Sequence, residues 1–392
     1  MIKNVAILGS TGSIGKSLLN IIARDKKKFQ ILLLTANKNY KLLLKQAKNY
    51  NVKHVIINEK KYFEKAKSIN KNKKITIFNN YENLKKIFPK KIDYTMSAIV
   101  GIEGLLPTLK IIKYTKKIAI ANKEAIICAW NLIKDELKKN KTEFIPVDSE
   151  HFSIWYALKG KDISSVEKVF LTASGGSLLK VSPKSYKNLN LSQILNHPNW
   201  KMGKKITIDS STMMNKVFEI IEAKKIFNLH YKKLSIIIHP KSYLHAIVKF
   251  NDGITKLIAH DTTMEIPIFN TLNDNNLKSI KTEKLNLKSL NDLELSKINI
   301  KKFPLTKILK TLPNENSLFE TVLVSANDEL VKLFLNKNIS YTDITKIMIK
   351  LISLKELQKF KKIKPRSTDD IIKLNEYVRL KINSKHIYLN QR

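Results

Sequence analysis

Cysteine is almost absent from this chain of 392 residues, in which Cys128 is the only one. A single thiol excludes an internal disulfide framework and a zinc site built on paired cysteines. Low cysteine usage is typical of proteins that work in a reducing compartment. We therefore predict a cytoplasmic protein.

Long apolar runs are also lacking. The sequence contains no stretch of about 18 apolar residues, the length that a membrane-spanning helix needs. The N-terminal apolar segment Val5–Leu8 is short, runs directly into Gly9 and is not followed by a small-residue cleavage site. We interpret it as a first β-strand rather than a secretion signal, and we expect no membrane partner.

Arginine supplies only four of the 72 basic residues, and the 33 acidic residues leave a formal net charge of +39. Such a charge raises nucleic-acid binding as an alternative, but arginine is the side chain that most often reads base edges. The lysines are also spread over the whole chain instead of clustering on one element. A solvated lysine surface is the favoured interpretation, and no nucleic-acid partner is expected.

Apolar residues, in contrast, make up 43% of the chain, enough for the cores of two or three domains. Over the first 125 or so residues, short apolar runs alternate with helical patterns, which predicts a parallel sheet with helices on both faces. The pattern is mixed from about residue 144, irregular over 270–300 and helical after about 301. The predicted fold class is α/β, with an N-terminal Rossmann-like parallel sheet, a central α+β domain and a C-terminal helical domain.

A glycine motif, Gly9-Ser-Thr-Gly-Ser-Ile-Gly15, lies between the first predicted strand and the first predicted helix. Glycines let the backbone turn tightly and approach a pyrophosphate, whose charge is stabilised at a helix N-terminus. The spacing differs from the usual GxGxxG. The prediction of a dinucleotide site therefore depends mainly on the position of the motif between a strand and a helix. A glycine turn without a ligand is the alternative.

The end of the second predicted strand, Thr35-Ala-Asn-Lys-Asn39, indicates which dinucleotide is bound. An acid near this position would hydrogen-bond the ribose 2′-hydroxyl of NAD. The segment carries no carboxylate, and Lys38 lies between two amides where a 2′-phosphate would bind. The sequence therefore favours NADP, although a chance lysine is a possible alternative in so lysine-rich a chain.

Two carboxylates, Asp148 and Glu150, follow a predicted strand, and a period of two would put both on one face. Like charges this close favour a cation between them. Oxygen ligands without a nearby cysteine indicate Mg²⁺ or Mn²⁺, with Glu219 as a candidate third ligand. Solvated carboxylates or helix caps are the alternative.

A second group of polar residues is typical of a phosphate site. Ser174-Gly-Gly176 offers a hydroxyl and flexible backbone N–H groups, and Asp209–Thr212 precedes a predicted helix whose first turns carry Asn215 and Lys216. Hydroxyl, amide and lysine groups near a helix N-terminus can bind phosphate. Asn215 and Glu219 are four residues apart and share one helical face. The alternative is an ordinary helix cap beside a surface lysine.

The segment between these groups contains Trp200, bracketed by His197-Pro198 and Gly203 in a predicted loop. An exposed aromatic residue on a loop is typical of a lid that closes over a substrate. The alternative is that this tryptophan packs on the core.

Six segments of the chain occur in the order Gly9–Gly15, Ala121–Glu124, Pro146–His151, Ser174–Gly176, His197–Gly203 and Asp209–Lys216. Together they resemble the 1-deoxy-D-xylulose 5-phosphate reductoisomerase family. The likeness runs over essentially the full chain and is strongest from residue 1 to 250.

The resemblance implies NADPH- and metal-dependent rearrangement and reduction of 1-deoxy-D-xylulose 5-phosphate to 2-C-methyl-D-erythritol 4-phosphate, a step of isoprenoid precursor biosynthesis. It also implies a homodimer. The implied parts of the chain are an NADPH-binding domain over 1–147, a catalytic domain over 148–273 with a flap at about 195–204, a connector over 274–300 and a helical domain over 301–392.

The resemblance also implies roles for individual residues. The metal ligands would be Asp148, Glu150 and Glu219. The catalytic and substrate-binding residues would be Lys123, Ser149, Glu150, Ser174, His197, Trp200, Ser210, Asn215, Lys216 and Glu219. The NADPH-binding residues would be Thr11, Gly12, Ser13, Ile14, Asn37, Lys38, Asn39, Asn122, Glu124 and Gly203. The proton-transfer group stays open between Glu150, Lys123 and a metal-bound water.

The chain departs from the family pattern at a few positions, which are Asn37, Val217, Lys241, the segment 262–267 and Asp328. A rival interpretation is a different NADP-dependent sugar-phosphate dehydrogenase, which would share the cofactor and phosphate sites. Such an enzyme would leave the carbon skeleton of its product unrearranged.

Overall fold

The alternating apolar runs near the N-terminus form a seven-stranded parallel sheet, as predicted. The computed structural model describes residues 2–70, 74–272, 279–285 and 287–384. By its internal contacts the chain divides into two units. The first unit is Met1–Ala125, Asn131–Phe152 and Met264–Lys281; the second is Ile126–Trp130, Ser153–Thr263 and Thr282–Arg392.

The sheet of the first unit has the strand order β4-β3-β2-β1-β5-β6-β7. Its strands are β1 (Lys3–Leu8), β2 (Phe29–Ala36), β3 (His54–Ile57), β4 (Thr76–Phe78), β5 (Ile92–Ser97), β6 (Thr115–Ile120) and β7 (Glu143–Pro146). The chain progresses outward from β1 in both directions, so the strand order reverses between β1 and β5. Ligands of such sheets bind at the carboxyl ends of the strands where this reversal occurs.

The helices that begin in the first unit cover the sheet. They are α1 (Ser13–Ala23), α2 (Tyr40–Asn49), α3 (Lys60–Ile69), α4 (Leu84–Ile87), α5 (Leu105–Ile112), α6 (Lys123–Lys139) and α7 (Ser149–Ala157), with α11 (Glu265–Leu272) returning later in the chain. The strands read as continuous Val, Ile and Leu runs because both faces are buried, and Val5, Leu34 and Val55 are fully buried. Helix α11 is held by a 2.7 Å hydrogen bond between the hydroxyl groups of Tyr94 and Thr271.

The second unit contains a mixed five-stranded sheet of order β11-β10-β8-β9-β12, in which only β8 and β9 run parallel. Its strands are β8 (Val166–Ala173), β9 (Leu234–Ile238), β10 (Leu244–Phe250), β11 (Thr255–Ala259) and β12 (Ser296–Lys297). Asn251-Asp-Gly253 turns the chain between β10 and β11, and an Asp-Gly pair is typical of such hairpins.

The helices of the second unit confirm the predicted helical C-terminal part. They are α8 (Leu191–Leu195), α9 (Lys204–Thr212), α10 (Met214–Phe227), α12 (Leu287–Asn291), α13 (Phe319–Leu335), α14 (Tyr341–Ile352), α15 (Lys355–Gln358) and α16 (Thr368–Asn383). Helix α16 begins with acids in its first turn, as predicted, and Ser367 is its cap. No helix of the described residues is long and apolar enough to cross a membrane.

Asp209–Thr212 precedes α10, as predicted, and is itself helical. It forms the last turns of α9, which is separated from α10 by Met213 in a left-handed conformation (φ 65°). The strand period predicted for Asp148 and Glu150 was wrong, because β7 ends at Pro146 and Glu150 is in the first turn of α7. The local apolar pattern does not show where such a strand ends.

The predicted connector over 274–300 contains α12 and β12 in its described part, while residues 273–278 and 286 lie outside the described residues. Ser296 of β12 is paired with Ile238 of β9. Segment Met264–Lys281 belongs to the first unit by its contacts. The functional boundaries at 147, 273 and 300 stay predictions.

Candidate active site

The glycine turn lies at the carboxyl end of β1, the strand where the order of the first sheet reverses. Gly9 has a φ of +83°, and a Cβ built on it would lie 2.7 Å from the carbonyl oxygen of Ala98. A Cβ on Gly15 would lie 2.5 Å from the Cα of Ser10. Only glycine fits at either position, since such distances are far inside van der Waals contact.

The turn is fastened to two neighbouring elements. The backbone N–H of Gly9 donates to the Thr35 hydroxyl (2.9 Å), and that of Ser10 donates to the Thr35 carbonyl oxygen (2.9 Å). The buried amide of Gln46 on α2 donates to the carbonyl oxygen of Ser10 (3.0 Å) and accepts from its hydroxyl (2.8 Å). These bonds fix the loop ahead of α1, whose first turn contains no acidic residue. An anion near this helix N-terminus is therefore stabilised rather than repelled.

The segment after β2 contains the residues predicted to bind the 2′-phosphate. Asn39 caps α2 by accepting a hydrogen bond from the backbone N–H of Leu42 (3.3 Å). Lys38 is well exposed, and its Nζ lies 3.5 Å from a carboxylate oxygen of Glu59. Glu59 follows β3, so the absence of an acidic residue at the end of β2 does not reveal it.

Helix α6 begins with three of the predicted site residues. Asn122 is its cap, accepting from the backbone N–H of Ala125 (2.7 Å), and its amide donates to the carbonyl oxygens of Gly101 (2.8 Å) and Ile99. The side chain of Asn122 therefore holds the loop that follows β5. Glu124, in the first turn of α6, is buried.

Lys123 and Asp148 form a mostly buried ion pair in the first unit, with 2.9 Å between Nζ and Oδ2. Burial alone would raise the pKa of Asp148, but the positive charge of Lys123 holds it well below its usual value. The hydroxyl of the next residue, Ser149, donates to Glu150 (2.5 Å). This part of the chain thus presents two carboxylates directly after β7, of which Asp148 is held ionised.

In the second unit, Ser174 and His197 are in contact, with 3.0 Å between Oγ and Nε2. The other ring nitrogen, Nδ1, accepts from the backbone N–H groups of Trp200 (3.0 Å) and Asn199 (3.2 Å), so the proton is on Nε2 and is donated to Ser174. Burial lowers the pKa of His197 to about 4. At neutral pH this histidine is a neutral hydrogen-bond donor.

Helix α10 carries a charged cluster in its first two turns. Glu219 is 1% exposed, and its carboxylate lies 2.5 Å from the Nζ of Lys216 and 2.5 Å from the amide nitrogen of Asn215. Ser210 is near the end of α9, and a Cβ on Gly176 would lie 2.8 Å from its carbonyl oxygen. The close approach of the 174–176 loop to α9 brings the two predicted hydroxyl-bearing segments together.

The predicted flap has defined contacts within the second unit. Trp200 is half-buried and meets the ring of His245 edge-on, with 6.0 Å between ring centroids. His245 in turn stacks face to face on His260 at 3.7 Å. The Asn199 amide donates to the hydroxyl of Ser242 (2.9 Å). Trp200 is therefore neither fully exposed nor part of the main core, and its role as a lid stays a prediction.

Two of the departures from the family pattern have local partners. Lys241 is exposed and pairs with Asp292 (2.8 Å) and Glu294 (3.7 Å). Asp328 lies 3.0 Å from Lys205, at the start of α9, and 3.5 Å from Arg379 on α16. Each substitution is thus satisfied by charges of the same unit.

Sequence reasoning missed three residues that these contacts single out: Gln46, Glu59 and His245. An available signal pointed to Glu59, since an acid directly after β3 shares the sheet edge with the end of β2. No sequence signal marks Gln46 or His245.

A parallel sheet with a glycine turn at its switch point, followed by a lysine–carboxylate pair at a helix start, defines a dinucleotide-binding α/β enzyme. Family models agree with this class and identify one enzyme family within it. A model of 1-deoxy-D-xylulose 5-phosphate reductoisomerase matches residues 5–130, one of that enzyme's C-terminal domain matches 144–227, and a second C-terminal model matches 261–381.

Individual relatives extend the match to nearly the whole chain. A reductoisomerase of this name from Pelagibacter ubique is 58% identical over 387 residues, covering 98% of this chain and all of the relative. One from Clostridium tetani is 37% identical over 97% of this chain and all of the relative. This protein belongs to the 1-deoxy-D-xylulose 5-phosphate reductoisomerase family.

Solved structures give the same result for the fold. A reductoisomerase in complex with NADPH, fosmidomycin and magnesium matches with a TM-score of 0.89 and 30% identity, covering 100% of both chains. The enzyme from Zymomonas mobilis in complex with NADPH matches with a TM-score of 0.85 and 30% identity over 97% of this chain and 98% of that one.

Proposed function

We propose that this protein converts 1-deoxy-D-xylulose 5-phosphate to 2-C-methyl-D-erythritol 4-phosphate with NADPH and one divalent cation, Mg²⁺ or Mn²⁺. The observation that carries the proposal is the 58% identity to a reductoisomerase over nearly the full chain. We also propose that the reaction takes place in the cytoplasm, which suits a chain with a single cysteine.

NADPH would bind in the first unit. The glycine turn fits it, since Gly9 and Gly15 allow a tight turn that any Cβ would prevent by clashing with neighbouring backbone, and the start of α1 favours an anion. Lys38 would pair with the 2′-phosphate, and NADPH supplies the hydride. The proposed contacts are Thr11, Gly12, Ser13, Ile14, Asn37, Lys38, Asn39, Asn122, Glu124 and Gly203.

Asp148, Glu150 and Glu219 are the proposed metal ligands. The donor set fits a hard cation, because all three offer carboxylate oxygens and Asp148 is held ionised by its surroundings. When bound, the cation supplies Lewis-acid stabilisation of negative charge that develops on substrate oxygens. Lys123 keeps Asp148 charged and oriented, and the Ser149 hydroxyl orients the carboxylate of Glu150.

The substrate phosphate would bind in the second unit through Ser174, His197, Ser210, Asn215 and Lys216. Neutral His197 donates to Ser174 and orders that hydroxyl, while Lys216 supplies a buried positive charge. Phosphate binding is remote from the reacting carbons, so its binding energy can position them. Trp200 and its loop would then exclude water from the aldehyde that is reduced.

A homodimer is the proposed assembly, formed by a second copy at the edge strand β11. Among the described residues β11 pairs only with β10, and Leu257 on it is 50% exposed beside Ile254 at 52%. An apolar unpaired edge is a template for association with another sheet. Leu257→Lys should shift the mass in solution, measured by light scattering, from dimer toward monomer, whereas Lys249→Glu on β10 should not.

The activity is tested by NADPH oxidation at 340 nm with 1-deoxy-D-xylulose 5-phosphate, with and without Mg²⁺. We expect substrate-dependent oxidation that stops when the metal is chelated and returns when Mg²⁺ or Mn²⁺ is added. Oxidation that is unaffected by chelation would overturn the metal-dependent reaction. Steeply salt-dependent duplex binding without any oxidation would favour the nucleic-acid alternative.

A further inference from the structure

The ends of β2 and β3 place Glu59 beside Lys38 through the backbone alone. The two parallel strands are paired up to Ala36 and Ile57. The backbone pairing continues past the strands, from the N–H of Asn58 to the carbonyl oxygen of Ala36 (3.2 Å) and from the N–H of Glu59 to that of Asn37 (3.4 Å). Lys38 and Glu59 are therefore held at the same edge of the sheet, whatever rotamers their side chains adopt.

The side chains meet across this edge. Nζ of Lys38 and Oε2 of Glu59 are 3.5 Å apart, with the lysine 64% and the glutamate 37% exposed. Glu59 directly precedes α3 and its side chain does not cap that helix, so its carboxylate is not committed to the backbone. A negative charge near this helix N-terminus is favourable.

We infer that Glu59 is a specificity-determining residue of the cofactor site, an inference that rests on the proposed binding of the 2′-phosphate by Lys38. The 2′-phosphate and the Glu59 carboxylate compete for the same ammonium group and repel each other. Binding of NADPH must therefore displace Glu59, whereas NADH, with a 2′-hydroxyl, can donate to it. Glu59 thus weakens NADPH binding and reduces the preference over NADH.

The size of the effect follows from the exposure of the pair. Partly exposed ion pairs change equilibrium constants by up to about 5-fold. Replacement of Glu59 also removes a negative charge that repels the 2′-phosphate, which strengthens NADPH binding further. We expect Glu59→Gln to lower the Kd of NADPH by about 3- to 10-fold and to leave the Kd of NADH unchanged or slightly raised.

The test is a binding measurement on the substrate-free protein. The Kd values of NADPH and NADH are measured by nicotinamide fluorescence, and adenosine 2′,5′-bisphosphate is used as a displacing ligand. The variants are Glu59→Gln, Lys38→Gln and the double variant. Glu64→Gln is the matched control, because it removes the same charge from the exposed side of α3.

The expected result is tighter NADPH and bisphosphate binding in Glu59→Gln, no such change in Glu64→Gln, and a smaller Glu59 effect when Lys38 is already replaced, since only the repulsion between carboxylate and phosphate then remains. If Glu59→Gln and Glu64→Gln give the same Kd for NADPH while Lys38→Gln still raises it, the inference about Glu59 is overturned and the proposed role of Lys38 stands. If Lys38→Gln leaves the ratio of the two Kd values unchanged, the proposed role of Lys38 fails and the inference fails with it.

Discussion

The two units of this chain prepare for anions in different ways. The first unit uses backbone: a glycine turn at the end of β1 and the amide groups at the start of α1, whose first turn contains no acidic residue. The second unit uses side chains: Lys216, Asn215 and Glu219 are buried together on α10, and neutral His197 is bonded to Ser174. Activity should therefore be sensitive to substitutions that add a side chain in the first unit, and to substitutions that remove a charge in the second.

The largest effect is expected for Glu219→Gln. This change keeps the shape of a buried side chain but removes a proposed metal ligand and the counter-charge of Lys216. We expect kcat to fall by at least about 10³-fold, since stabilisation of charge in the transition state is lost. Activity and the Mg²⁺ concentration for half-maximal rate are the measurements, with circular dichroism to check the fold.

Glu320→Gln on α13 is the control for loss of a buried carboxylate, because Glu320 is also 1% exposed and pairs with a buried lysine, Lys225. A Glu219→Gln enzyme with normal rate and normal metal dependence would show that Glu219 is not a ligand.

The next largest effect is expected when a side chain is added to the glycine turn of the first unit. Gly9→Ala forces a side chain into a left-handed conformation and against Ala98, which should cost about 1–3 kcal/mol of stability and raise the KM for NADPH. Gly160 has a similar φ of +73°, but a Cβ there meets nothing within 4 Å.

Gly160→Ala therefore isolates the conformational cost, about 1–2 kcal/mol, and should leave the KM for NADPH unchanged. Thermal unfolding and NADPH titration compare the two variants. Indistinguishable KM values would mean that the glycine turn does not shape the cofactor site.

Trp200→Ala tests the flap. A lid residue contributes when the site is closed, so we expect kcat/KM to fall by about 10- to 100-fold with little change in Tm. Truncation of a core tryptophan would instead cost about 3–5 kcal/mol. A large drop in the Tm of the free protein would identify Trp200 as a packing residue of the His245 contact.

The smallest effect is a dependence of stability on pH. The pKa of His197 is about 4 in the folded protein, below its ordinary value of 6.5, so the unfolded chain binds the proton more tightly. The contribution of His197 is complete above about pH 6.5 and is lost as the pH falls toward 4. His239, His245 and His260 have lowered pKa values for the same reason, burial, and add to the trend.

His197→Asn should make the loss of stability between these pH values shallower than in the wild type, as followed by denaturant unfolding at several pH values. An unchanged slope would mean that His197 is protonated in the folded protein as readily as in solution.

The comparison of the units also explains what the sequence could predict. The strands of the first sheet, the glycine turn and the helix after it are confirmed, because buried parallel strands and glycine punctuation are local signals. The residues of the site itself were identified mainly through the family motifs, and their individual roles stay predictions.

What the sequence could not predict depends on packing. Asp209–Thr212 is part of a helix of its own, α9, and Asp148 precedes α7 because β7 ends at Pro146. The pairing of Lys38 with Glu59 joins residues that follow different strands, and the stack of His245 on His260 spans a hairpin. Such contacts depend on which strands become neighbours, which a local pattern does not encode.

The central claim is that one protein both rearranges and reduces its substrate, and the carbon skeleton of the product tests it directly. Uniformly ¹³C-labelled 1-deoxy-D-xylulose 5-phosphate is incubated with the protein, NADPH and Mg²⁺, and the product is analysed by ¹³C NMR. In the unbranched substrate no carbon is bonded to more than two others. We predict one product carbon coupled to three carbon neighbours, as in 2-C-methyl-D-erythritol 4-phosphate; a product in which every carbon keeps at most two would contradict the account and identify a simple dehydrogenase.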